Sequence, residues 1–252
     1  MTSFLLVTIQ APLASWGEIA VGEWRGSWDR PSRSAIVGVL GAALGVLRND
    51  PEKQRALAIG YAVAVRTDAL GTPTQDYHTM QTVAKSHLKK RTIATRADIL
   101  GLPDKETVLS RREYREGALY TVAIWGKPGA MWSLNEIADA LRHPVFSLFA
   151  GRRANALGLP LQPSIVVAES LADAFHARPP LPTNVPPELH RLRPNTGWGQ
   201  EVAHDECDEF PSGLVAPFRR VMRRDVPGDR LGWLFEERVV RVGTLPAKGG
   251  DA

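Results

Sequence analysis

The chain has 252 residues, 44% of them hydrophobic and 23% charged, a formal net charge of +4 and one cysteine, Cys207. This is the composition of an ordinary globular protein, long enough for one elaborated domain or two small ones, and a lone cysteine rules out an internal disulfide. No apolar run approaches the ~18 residues of a membrane span, and the first basic residue, Arg25, comes too late for a signal peptide, so the expectation is a soluble cytoplasmic protein with no membrane partner.

Phe4 to Gln10 is apolar on both faces and predicts a central strand. It leaves through Pro12 and Trp16-Gly17 into "EIAVGEWRGSWDR", which mixes aromatics, glycine and charge like a long loop. Pro31 and Ser32 then open a helix expected to run to Leu47. Gly38, Gly41 and Gly45 share one stripe of it, and glycine costs a helix roughly 1 kcal/mol per position, so the stripe predicts close packing, most simply on a sheet. A second strand is expected over residues 56–68, after Asn49-Asp50-Pro51 has ended the helix.

Residues 75–115 lack an apolar period and predict an excursion, with a hairpin as one form of it. Between Asp76 and Arg115 nine Lys/Arg face five acids, so this segment alone carries +4. Clustered positive charge fits a polyanionic partner or a solvated loop. Leu119 to Trp125 returns as a strand, and "SLNEIADALRHP" predicts a helix with a Ser133/Glu136 capping box and an apolar face of Leu134, Ile137, Ala138 and Leu141. Strand, helix, strand, excursion, strand, helix is the order of a βαββαβ plan, in which two helices cover one face of an antiparallel sheet and the other stays open. The later chain is proline-rich through residues 177–190 and resumes as strands near 232–242, as a second half or as a sheet extension, with a disordered tail over 246–252. A second basic stretch, residues 218–230, and an acidic one, residues 201–209, complete the charge pattern.

The chemistry on offer is limited. "GVLGAALG" has neither dinucleotide nor Walker spacing, His204, Asp205 and Cys207 fall short of a zinc site, and no GxSxG occurs, so no metal and no cofactor is expected. Tyr77 and His78 in "DYHT", with Lys85 nearby, could move protons in metal-free RNA cleavage, or could stack on a base and contact a phosphate without reaction, or could pack locally. Arg152 and Arg153 follow Gly151 and could reach one polyanion from a single turn.

"APLASWG", "RPSRSAIVGVLGAALG", "DYHT", "RREY", "YTVAIW" and "GRR" fall in order across roughly residues 3–165, and in them the chain resembles the CasD family of type I-E CRISPR Cascade subunits. The resemblance implies an α+β fold, a modified ferredoxin-like (RNA-recognition-motif-like) antiparallel sheet with a protruding thumb at about 75–115 and an elaborated C-terminal β region. It implies one domain, with its core at about 1–74 and 116–245. The implied function is to grip the 5′ handle of the CRISPR RNA and cap the backbone subunits without cutting. Implied partners are a backbone subunit on the thumb, the large subunit and, indirectly, target DNA. Arg33, Ser34, Arg112, Arg152 and Arg153 carry over as handle contacts, with Tyr77 and His78 also assigned to RNA binding. Phe149 stands where relatives have tyrosine and keeps only stacking. Trp16 would stack on a handle base or pack in the core, in a loop beside the first helix N-terminus, where backbone N–H groups favour phosphate. Related type I-C subunits cleave precursor RNA, which makes a metal-independent endoribonuclease using Tyr77, His78 and Lys85 the alternative.

Overall fold

The computed structural model describes residues 1–83, 94–102, 105–180, 200–206, 209–228, 232 and 234–247. β1 (Thr2–Gln10) is buried from Phe4 onward, and four two-residue strands follow: β2 (Leu13–Ala14), β3 (Trp16–Gly17), β4 (Trp24–Arg25) and β5 (Ser27–Trp28). Helix α1 (Arg33–Ala43) starts where Ser32 caps it, its hydroxyl accepting from the Ala35 N–H. It ends short of Leu47 because Gly45 turns to φ +74°. The Gly45 and Val46 N–H groups then close onto the Ala42 and Gly41 carbonyls, the bonding of a glycine-terminated helix.

Asn49-Asp50-Pro51 also begins something. Asp50 accepts from the Lys53 N–H at 3.1 Å and caps helix α2 (Pro51–Gly60), with Pro51 in its first turn. The strand expected over 56–68 therefore starts only at Tyr61, as β6 (Tyr61–Ala69). A short apolar run such as "ALAIG" has no period of its own, and the packing of Leu57 against α1 decides it as helix. The glycine stripe is corrected in the same way. Gly41 faces Leu57 of α2 across a 3.3 Å gap from where its Cβ would stand, Gly38 faces nothing within 4 Å, and Gly45 lies beyond the helix.

The excursion is a hairpin arm. β7 (Thr72–Val83) and β8 (Lys105–Glu116) pair antiparallel from Thr72–Glu116 to Val83–Lys105, with α3 (Arg96–Leu100) between them. β9 (Leu119–Gly126) and α4 (Leu134–Arg142), with its Ser133/Glu136 capping box, form as expected. β10 (Ser164–Ala168), α5 (Leu171–His176), β11 (Glu201–His204), β12 (Val215–Pro227) and β13 (Phe235–Thr244) complete the chain.

Seven strands form one antiparallel sheet in the order β10-β1-β9-β6-β11-β13-β12. The C-terminal region is thus a sheet extension beyond the β6 edge. On one face Leu5, Val7, Val63, Val65, Val122 and Ile124 pack with Ile36, Val37 and Leu40 of α1 and with Ile137 and Leu141 of α4. The second face, expected to be open, is covered. Phe4, Leu6, Ala62, Ala64, Ala123 and Trp125 lie under Leu171, Ala172, Ala174 and Phe175 of α5 and under Phe210 and Leu214. Phe4, Trp125 and Phe210 meet edge to face at 5.1–5.9 Å. The apolar character of β1 on both sides is what this double cover requires.

A buried ionic network ties the extension to the rest. Arg33 at the start of α1 donates to the Asp205 carboxylate and, through Nη2, to the carbonyls of Ala58 at 2.8 Å and Tyr61 at 2.5 Å. Asp205 also accepts from the Val63 N–H at 2.8 Å and from Arg238. Arg238 holds Asp225 through two nitrogens, at 2.7 and 3.0 Å, and Asp225 accepts the backbone N–H of Arg33 at 2.7 Å. Beside it, Arg30 bridges Asp29 and Glu201, and Arg223 lies over the Trp28 ring at 4.1 Å while reaching Asp29 at 3.1 Å.

Removing one partner of a buried ion pair strands the other, at a cost of about 3–5 kcal/mol, so Asp205→Ala should lower unfolding stability in urea by that order, far more than the exposed Asp139→Ala. Burial works to raise the Asp29 carboxyl, and the hydrogen bonds and charges of Arg30 and Arg223 outweigh it, holding the group at about 2. A depressed carboxyl stabilises the fold above its unfolded value of ~3.9 and loses that contribution as pH falls towards 2. Acid unfolding followed by circular dichroism should therefore become less steep across that window in Asp29→Asn.

Candidate nucleic-acid interface

The base of the arm gathers chain from four places. β8 carries β7 on one edge, and β2 and β4 on the other, with Trp24 opposite Arg111 and Arg25 opposite Arg112. A turn at residues 149–156 closes over it: Phe149 bridges Ala156, and the buried Asn155 donates to the Ala150 carbonyl at 3.1 Å. The "GRR" motif sits in this turn. Gly151 has φ +86°, and a Cβ there would lie 1.7 Å from the Ser15 carbonyl oxygen, so only glycine fits. The Ser15 N–H donates to the Ala150 carbonyl at 3.1 Å, which locks "GRR" onto "APLASWG".

Arg152 clamps the pieces together. Its guanidinium lies 4.6 Å from the Tyr114 ring centroid and donates to the Glu113 carbonyl at 3.0 Å and the Arg25 carbonyl at 3.1 Å. Arg112, half-buried, donates from Nε to Ser110 Oγ at 3.3 Å and makes no ion pair among the described residues; neither does the exposed Arg153. Arg25, Arg112 and Arg152 thus come from separate segments to one place, with Arg153 beside them; the Arg25 guanidinium donates back to the Gly22 and Trp24 carbonyls at 2.6 and 2.9 Å.

The two faces of the arm differ, because neighbours on a strand point to opposite sides. His78, Asp76, Ser110, Arg112 and Tyr114 share the face that Arg152 covers, with His78 Nε2 2.6 Å from Asp76 Oδ2. Tyr77, 55% exposed, lies on the other face opposite Arg111. Tyr77 and His78 are therefore on opposite faces of one strand, which is poor geometry for joint proton transfer at a single phosphate. Lys85 lies outside the described residues, as do Lys89, Lys90 and Arg91.

Several expected contacts are corrected. Trp16 is 1% exposed and meets Tyr120 edge to face at 5.8 Å, so it anchors the loop in the core and offers no ring to a base. Arg33 is 4% exposed and its donors are taken by Asp205, Ala58 and Tyr61, which makes it an internal strut. Ser34 follows it on α1, its hydroxyl 3.0 Å from that of Ser32. The α1 N-terminus meets the Asp225 carboxylate in place of a phosphate. The acidic stretch at 201–209 contributes Asp205 to the network and Glu201 to Arg30 and Arg219. Cys207 lies outside the described residues, among which no group of His, Cys, Asp and Glu could hold a metal. Arg25, Trp24 and Arg111 are the residues sequence reasoning passed over. The aromatic and cationic mixture of "GEWRGSW" was the available signal.

Residues 4–226 match the family of CRISPR-associated proteins described as Cas_Cas5. The chain belongs to that family. It is 32% identical over 169 residues to the CRISPR system Cascade subunit CasD of Escherichia coli (strain K12), a match spanning 64% of this chain and 70% of that one. It is similar to a chain of a CRISPR RNA-guided surveillance complex, with TM-score 0.64 and 25% identity, covering 96% of this chain and 90% of the other. A crystal structure of a Cas protein matches with TM-score 0.62 and 25% identity over 97% and 95% of the two chains. Among the described residues no helix is long and apolar enough to cross a membrane.

The lock between Gly151 and Ser15 yields a direct test. Gly151→Ala places a methyl group on a carbonyl oxygen at a positive φ, strain of at least about 1–3 kcal/mol. A lowered thermal midpoint, with the turn at 149–156 becoming sensitive to protease, is the expected result.

Proposed function

We propose that the chain is the non-catalytic, CRISPR RNA-binding subunit of a type I-E Cascade surveillance complex, gripping the 5′ handle of the RNA and capping the backbone subunits. The observation that carries this reading is the meeting of Arg25, Arg112 and Arg152 at the base of the arm, with Arg153 exposed beside them. These are guanidinium groups, suited to bidentate phosphate contacts; Arg152 is held by the Glu113 and Arg25 carbonyls, Arg25 by carbonyls of its own loop and Arg112 by the Ser110 hydroxyl. Family membership, the likeness to CasD and the likeness to a chain of an RNA-guided complex support the same reading. Within it, the strands β10-β1-β9-β6 form a ferredoxin-like half of a single elaborated domain, and the β7–β8 arm is the thumb against a neighbouring backbone subunit. The remaining partners are the large subunit and, indirectly, target DNA, in the cytoplasm.

Phe149 and Tyr114 supply rings, and His78 supplies a donor, on or beside the face that Arg152 covers. The alternative, metal-independent cleavage of repeat RNA by Tyr77, His78 and Lys85, is disfavoured because Tyr77 and His78 diverge from one strand.

Binding of the full chain to fluorescein-labelled repeat RNA should weaken in Arg112→Ala and Arg153→Ala. Each phosphate left without its arginine should flatten the plot of log K against log salt by about 0.7. Unchanged affinity and slope in both variants would overturn the reading. In EDTA the RNA should stay intact; site-specific cleavage that disappears in His78→Ala would establish the alternative.

A further inference from the structure

A second feature of the arm lies on the face opposite Arg112 and Arg152. Register places three residues side by side across three adjacent strands: Trp24 of β4, Arg111 of β8 and Tyr77 of β7. Trp24 is 40% exposed, Tyr77 is 55% exposed and Arg111 is exposed. A buried role accounts for none of them, since Arg111 makes no ion pair and neither ring packs against another aromatic among the described residues. With strands ~4.8 Å apart, the two rings stand about 10 Å apart across the central guanidinium.

The charge around this row is favourable to a polyanion. The side chains of β8 on the same face include Lys105, Arg111 and Arg115 against a single acid, Glu113. Glu113 already accepts the Ser27 N–H at 3.2 Å and is turned towards that loop. The face of Arg112, by contrast, carries Asp76, Glu106 and Glu116 on the two strands.

We propose that Trp24, Arg111 and Tyr77 form a stacking platform for unpaired nucleotides, separate from the arginine cluster across the arm. The rings would take successive splayed bases, and Arg111 the phosphate between them or a third base by planar stacking. A base has an apolar face and a charged backbone, and an aromatic–guanidinium–aromatic row on a sheet offers the complement of both. Stacking reads π-faces, so the platform is tolerant of sequence. The inference rests on the RNA-binding reading above and extends it to a second face.

The test uses the full chain and a fluorescein-labelled, unstructured RNA of about 16 nucleotides, with an otherwise identical RNA carrying abasic positions. Trp24→Ala and Tyr77→Ala should each weaken binding by about 5-fold to about 150-fold, the loss of one base–aromatic stack, with the salt slope unchanged. Trp24→Phe and Tyr77→Phe should keep most of the affinity. The unsubstituted protein should bind the abasic RNA less tightly, and the alanine variants should discriminate less between the two RNAs, a readout that needs no variant to fold perfectly. If both alanine variants bind like the parent while Arg112→Ala and Arg153→Ala lose affinity, the platform is wrong and the arginine site stands. If no variant changes binding, both readings fail. If the alanine variants bind RNA normally but no longer assemble with neighbouring protein subunits, the row is a protein contact and the platform is overturned.

Discussion

The structure depends on two carboxylates, Asp205 and Asp225, placed inside the protein beside Arg33 and Arg238. A charge taken out of water is costly unless it is paired and hydrogen-bonded, and here each oxygen has a partner. The bonds run between segments far apart in sequence: the first turn of α1, the start of β6, the loop after β11 and the β12–β13 pair. They therefore fix where the C-terminal extension meets the first helix.

The same pairing sorts the positive charge of the molecule. Arg30, Arg33, Arg219, Arg223, Arg238 and Arg241 each have a carboxylate, most of them from the acidic stretch or from Asp29 and Asp225. The arginines at the base of the arm have none among the described residues. Arg152 is oriented by carbonyls and a tyrosine ring, which leave its charge uncompensated. Within two stretches that look equally basic in sequence, the fates differ residue by residue: Arg223 is drawn in against Asp29 while Arg219, Arg220 and Arg224 stay exposed, and Arg111 is exposed while Arg112 and Arg115 are half-buried without a carboxylate partner among the described residues.

Covering both faces of the sheet has a consequence for where a partner can bind. With α5, Phe210 and Leu214 over the second face, the broad sheet surface used by open recognition folds is closed. Candidate contacts fall instead on the arm and on the turns at its base, where Trp16, Ser15 and Gly151 set the backbone. Trp16 acts there as a buried anchor, and its neighbour Ser15 supplies the carbonyl that excludes any side chain at 151.

By itself the sequence determined what rests on local rules. Phe4–Gln10 as a central strand follows from its two apolar faces, the helix at 134–142 from its capping box and apolar period, the excursion at 75–115 from the lack of an apolar period, and the family from six short motifs in order. Tertiary structure decided whatever depends on contacts between distant segments. The run at 56–60 became helix because Leu57 meets α1. Arg33 became a strut because Asp205 approaches it from 172 residues further along the chain, and Arg25 joined the arginine cluster because β4 lies along β8. A charged or aromatic residue looks the same in sequence whether it faces water or a partner inside. Only the neighbours brought by folding distinguish the two, because the cost of burying a charge is offset, or not, by groups that sequence spacing does not reveal.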